Sequence, residues 1–276
     1  VQKWMVEDKA SGFMQTLNNL RSSVPELADA LRRFNQVLAG RDLPASTLKS
    51  LRVSLTQRLL TEQLDFVRTA KEFMDIDDFV QLVDHIIMPA GSHGKLGGKG
   101  AGLVLAPKVL EVTRSDEMPV GEVRIPRTWF VASDGLLDFV AHNDLQDVIE
   151  QKYKEIDSVR DEYPSIVRLF KSSSFTSRVI NGLSVALDDF GEVPLIVRSS
   201  SLLEDRLGTA FSGKYKSLFL ANQGTKEERL AALMDAIAEV YASTFGPDPI
   251  EYRRDHGLLE FNEEMDTSEG TIDSTL

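Results

Sequence analysis

Between Pro194 and Leu220 the sequence reads PLIVRSSSLLEDRLGTAFSGKYKSLFL, and no other stretch limits the fold as tightly. PLIVR is a short apolar run with β-branched residues, and Tyr215, Ser217 and Phe219 alternate with their neighbours as a returning strand does. The pair predicts a β-hairpin. An ordinary hairpin closes with about two to five residues. Here the connection carries three consecutive serines, two acids and two glycines. So many small, hydrogen-bonding residues suit a loop that folds over a ligand, not a bare turn.

The residue types say what such a ligand offers. Arg198 ends the apolar run, where a strand fixes its backbone, and a guanidinium grips phosphate oxygens in two directions. Ser199, Ser200 and Ser201 add hydroxyl and backbone donors, while Gly208, Thr209, Ser212 and Gly213 let the loop close. Glu204 and Asp205 are unsuited to direct phosphate contact. They can tether the loop through Arg206 or Lys214, or help hold a cation, but a solvated loop face is the plainer reading of each.

A second feature lies a hundred residues earlier. GSHGKLGGKGAG has six glycines in twelve residues, and the apolar LVLAPKVLEV that follows predicts a helix opening at the turn. No register matches a P-loop, and Leu103 stands where the third glycine of a dinucleotide fingerprint belongs. What remains is Gly97 and Gly98 before Lys99, with Gly100 and Gly102 after it. Backbone N–H groups, helix dipole and lysine charge together suit a polyphosphate. A flexible interdomain turn with a solvated lysine accounts for this segment equally well.

Upstream the pattern is helical. Leu27, Leu31, Phe34 and Leu38 predict one helix ending near Gly40. Leu48, Leu51, Leu55, Leu59, Phe66 and Val67 predict a long one capped by Ser46 or Thr47 behind Pro44. Ile76, Phe79, Val80, Val83 and Ile87 predict a third that stops at Pro89. Asp75, Asp77 and Asp78 lack the glycine and distal glutamate of a calcium loop, so they are read as solvating and capping a helix start. His85 has no second histidine at ligand spacing. Downstream, Val123 to Val131 predicts a strand, Asp134 a cap for GLLDFVAHN, and Thr225 with Glu228 a capping box on a helix bearing Leu230, Leu233, Ile237, Val240 and Tyr241.

Composition excludes several classes. With no cysteine among 276 residues, disulfides, thiolate metal sites and cysteine nucleophiles are ruled out. A net charge of −12 disfavours nonspecific nucleic-acid binding. No apolar run reaches the roughly 20 residues of a membrane helix, and the first residues lack a secretory core, so a cytoplasmic setting is expected. There is no GxSxG elbow and no HExxH pair among His85, His93, His142 and His256.

Four segments in order, LGGKGAGLVLA, IPRTWFVASDGLLDFVAHN, the 194–220 stretch and EVYASTFGPDPIEYRRDHGL, resemble the N-terminal nucleotide-binding domain of phosphoenolpyruvate synthase (pyruvate, water dikinase) and pyruvate phosphate dikinase. The resemblance covers about residues 91–257. It implies an α+β fold: an incomplete ATP-grasp-like domain over 91–263, behind an all-helical extension at 1–90 and ahead of a polar, disordered tail at 264–276. It also implies that Lys99 and Arg198 contact ATP phosphates and act catalytically, that Gly97, Gly98 and Gly100 line the phosphates, and that Ser199 through Gly213 cover them.

By the same resemblance, phosphate passes from ATP to a histidine on a separate phosphocarrier domain and then to pyruvate on a further domain. Mg2+ is expected with its ligands downstream, and none in this chain, which is expected to be a piece of a longer one and inactive alone. Related nucleotide domains serve rifampin and glucan as acceptors. A non-catalytic nucleotide-sensing or scaffold module is the alternative of another class, and a purely helical interaction protein leaves the 197–220 loop unexplained. Homo-oligomerisation is compatible with all of these.

Overall fold

The computed structural model describes residues 11–38, 43–113, 125–200, 213–259 and, for the backbone alone, 269–273. The elements run α1 (11–18), α2 (Val24–Leu38), α3 (Ala45–Leu59), α4 (Leu64–Phe73), α5 (Ile76–Asp84), β1 (Ile86–Ile87), α6 (Gly98–Thr113), β2 (Thr128–Val131) and α7 (Gly135–His142). A 3-10 helix (Gln146–Tyr153) leads to α8 (Ile156–Lys171), α9 (Ser177–Phe190), β3 (Leu195–Ser200), β4 (Ser217–Leu220), α10 (Lys226–Ser243), α11 (Pro247–Asp255) and β5 (Glu269–Asp273). The fold is a helix-rich α+β arrangement.

Among the described residues five strands form one sheet in the order β1-β2-β5-β3-β4. β1 and β2 are parallel and every other pair is antiparallel. β3 and β4 form the predicted hairpin, with Ile196 opposite Phe219 and Arg198 opposite Ser217.

Strand alternation divides the interior into two cores. Ile87, Trp129, Val131, Leu195 and Val197 face one core with α7 to α10, centred on Phe139, Phe170, Phe175 and Tyr241. Phe130 and Ala132 face the other, with α1 to α6. The helices before residue 85 thus share a continuous apolar core with Leu96, Ala101 and Leu105 of the glycine-rich turn and α6.

Several local expectations need correction. The long helix over Leu48 to Val67 is two helices, α3 and α4, because the chain turns at the fully buried Leu60 and at Thr61, whose hydroxyl accepts from Gln63 N. Ser46 and Thr47 lie inside α3, and Pro44 occupies its N-cap. Ile87 belongs to β1, since α5 ends at Asp84 and the next residues pair with β2. Of the strand expected over Val123 to Val131, Thr128–Val131 is formed; 123 and 124 lie outside the described residues. Part of the tail read as disordered, 269–273, runs as β5 between β2 and β3, where backbone pairing does not depend on apolar side chains. Helices α8 and α9 were not anticipated.

Other expectations hold. Thr225 and Glu228 form a reciprocal capping box at α10. Asp75 caps α5, and Asp78 accepts from Asp75 N at 2.7 Å while pairing with Lys108. Asp77 accepts from Asn35, so the three acids are engaged in structural bonds. His85 ends α5, with its Nδ1 2.8 Å from Gln81 O and its ring against Trp129.

Candidate functional site

The glycine-rich turn is strapped to its surroundings along most of its length. Ser92 O accepts from Val24 N at 2.6 Å, and Leu96 N donates to Leu59 O, a carbonyl left open by the end of α3, at 3.0 Å. Ser133 and Lys95 exchange two bonds: Lys95 N donates to Ser133 Oγ at 3.0 Å, and Ser133 N to Lys95 O at 3.1 Å. The carboxylate of Asp134 accepts from Ser92 Oγ at 2.8 Å, His93 N at 2.8 Å and Gly94 N at 3.0 Å. Asp134 stands at the N-cap of α7 as expected, but its side chain caps nothing there because these loop donors occupy it.

Gly97 then opens α6, its carbonyl accepting from Ala101 N at 2.8 Å. In the first turn of a helix the N–H groups have no carbonyl one turn earlier to bond. Gly100 N donates instead to Ser200 Oγ, 3.0 Å away at the end of β3. Ser200 therefore supplies across space the cap that a glycine cannot. The contact is close enough that a Cβ on Gly97 would lie 2.5 Å from Ser200 O and 2.6 Å from Ser200 Oγ. That approach requires glycine at 97.

Strand alternation decides which β3 side chains share this place. Arg198 and Ser200 lie on one face with Ile196; Ser199, 2% exposed, lies on the opposite face with Leu195 and Val197, which are in the α7–α10 core. Phe219, paired with Ile196, is 76% exposed, while Ile196 itself is buried. Gly97 and Gly100 thus meet Ser200, with Gly98 and Lys99 between them in the chain and Arg198 on the strand face of Ser200; Lys99 and Arg198 are both half-buried. Ser199 does not join them. Ser201, Gly208, Thr209 and Ser212, together with Glu204, Asp205 and Arg206, lie outside the described residues.

The return of the loop is anchored from Gly213 to Lys216. Gly213 has φ of 81°, a turn conformation suited to glycine. Lys214 Nζ lies 5.6 Å from the centre of the Tyr252 ring, and buried Tyr215 packs on Tyr252 and Leu258. Lys216 N donates to Ser243 Oγ at 3.2 Å, and its ammonium pairs with Glu239 at 2.8 Å. The hydrogen bond from Lys216 holds the Glu239 carboxyl below its ordinary range, partial burial opposing it, and the same bond raises Lys216.

Chemically, the N-terminus of a 16-residue helix meets a strand end carrying arginine, with a lysine in the helix's first turn. The helix dipole and two cations suit an anion with several oxygens. Among the described residues no group of three or more His, Asp or Glu is placed to hold a metal ion. No helix among them is long and apolar enough to cross a membrane.

This is the setting expected of a nucleotide-binding module. The family described as pyruvate phosphate dikinase, AMP/ATP-binding domain, matches residues 93–267, well over half of the chain, and the chain belongs to that family. No curated protein matches the sequence.

Proposed function

We propose that this chain binds ATP in ATP-grasp fashion, with the phosphates between the first turn of α6 and the end of β3, as the nucleotide module of a phosphoenolpyruvate-synthase-like phosphotransferase. Lys99 and Arg198 hold the phosphate oxygens, and Gly98 contributes its backbone N–H. In the parent protein the phosphoryl group passes to a histidine on a separate domain and then to pyruvate. The task of this module in that transfer is positioning and stabilising charge that spreads over the moving phosphoryl group.

The observation that carries the proposal is the bond from Gly100 N to Ser200 Oγ, which joins two segments a hundred residues apart. It brings the helix that bears Lys99 to the strand face that bears Arg198. A solvated interdomain turn gives no reason for that approach, or for bonds at nearly every residue from Ser92 to Leu96.

Calorimetric titration of the chain with ATP tests this. A hydrogen bond to a charged group contributes about 1.5–3 kcal/mol, so Lys99→Ala and Arg198→Ala should each weaken ATP by about tenfold or more. Measurable ATP binding that neither substitution affects overturns the assignment.

A further inference from the structure

We propose that Asp134 is a positioning residue for the phosphate-facing turn: it fixes residues 92–94 so that α6 begins where Lys99 and Arg198 reach one polyphosphate. This rests on the function proposed above. One carboxylate accepts three bonds from consecutive residues of the turn, at 2.8, 2.8 and 3.0 Å. Gly94 approaches so closely that a Cβ there would lie 2.5 Å from Asp134 Oδ1 and 2.8 Å from Asp134 N.

Asp134 is itself held in place. At the adjoining Gly135 a Cβ would meet Tyr241 Oη at 2.7 Å and Val131 at 2.9 Å, which seats the β2–α7 turn against α10. Ser133 adds its two bonds to Lys95. The position of the α6 N-terminus is thus passed from the α7–α10 core through Asp134 into the glycine turn, and from there to the Ser200 contact.

The charge of Asp134 strengthens the bonds it accepts but contributes nothing favourable to phosphate binding itself, because an anion near a polyanion repels it. What the turn needs from the side chain is its acceptor geometry. Asparagine can reproduce it: its carbonyl oxygen accepts from His93 N and Gly94 N, and its amide donates to the Ser92 hydroxyl. Positioning therefore makes a prediction that neither a charge role nor a purely structural role makes.

The test is titration of the 276-residue chain with ATP and with adenosine, in the wild type and in Asp134→Ala, Asp134→Asn and Gly94→Ala. Asp134→Ala and Gly94→Ala should weaken ATP by about tenfold and change adenosine by less than about twofold, while Asp134→Asn stays within about threefold of wild type for both. ATP affinity unchanged in Asp134→Ala, equal losses for ATP and adenosine, or an asparagine variant as defective as alanine would each overturn the inference. Should Asp134→Ala not fold, Gly94→Ala decides, since it displaces the turn with the carboxylate intact. If Lys99→Ala and Arg198→Ala leave ATP binding unaffected, the function reading fails and this one fails with it. If they weaken ATP while Asp134→Ala does not, only the positioning role is wrong.

Discussion

Replacing Gly97 with alanine tests the junction between α6 and β3 directly. The added methyl would lie 2.5 Å from Ser200 O, 2.6 Å from Ser200 C and 2.6 Å from Ser200 Oγ. Two of these atoms are backbone, so no rotamer change relieves the overlap. Forcing a methyl into a packed site costs about 1–3 kcal/mol. Separating the strand from the helix also breaks the bond from Gly100 N to Ser200 Oγ and strands a buried donor, a further cost of about 1 kcal/mol.

We therefore expect Gly97→Ala to destabilise the chain by about 2–4 kcal/mol. Urea unfolding followed by circular dichroism measures it, with an unchanged m-value marking a stability effect. Ser200→Ala alone should cost only about 1–2 kcal/mol, as for a lost helix cap. In the Ser200→Ala background Gly97→Ala should still cost most of its penalty, because the clash is with backbone. A loss below about 0.5 kcal/mol for Gly97→Ala, within the usual range of surface substitutions, would refute the close approach.

Three further expectations follow from the same structure. Phe139, 1% exposed and with ring centres 4.7 Å from Phe175 and 5.4 Å from Phe170, should cost about 3–5 kcal/mol when replaced by alanine, read by urea unfolding. Thr225→Ala removes the acceptor for Glu228 N and should cost about 1 kcal/mol in the same assay. For Glu239, a folded pKa lowered by Lys216 means stability that is present above the unfolded glutamate value, about 4.3, and is lost as pH falls through the folded value. Glu239→Gln should accordingly flatten the acid-side fall of the urea midpoint and leave its slope between about pH 5 and 8 unchanged.

Much of this architecture was legible because local chemistry and tertiary structure agree. The β3–β4 hairpin followed from its alternation, α6 from the apolar run behind the glycines, and α10 from its capping box. The face shared by Arg198 and Ser200 was also available from the period of two along LIVRSS, which sets Ser199 apart.

What could not be read depended on distant partners. Nothing local distinguishes an Asp134 that caps α7 from one that accepts bonds from Ser92, His93 and Gly94. Ser200 reads as a ligand-facing hydroxyl until Gly100 N is found on it. The break between α3 and α4 contains neither proline nor glycine; it is set by burial of Leu60 and by the use of Leu59 O to hold Leu96. Helix α8 follows Glu155, which is not a usual cap residue, and contains Pro164, a stop signal; α9 follows Thr176, whose side chain makes no cap bond. β5 is polar in sequence and is joined to the sheet by its backbone pairing.

The central claim is that the first turn of α6 and the end of β3 together hold the phosphates of one nucleotide. Hydrogen exchange, resolved to short peptides with and without ATP, tests it most directly. ATP should slow exchange in both 97–101 and 196–200, adenosine should slow it much less, and α2 to α4 should be unaffected. Protection by ATP that appears elsewhere while both of these segments exchange as in the free chain would contradict it.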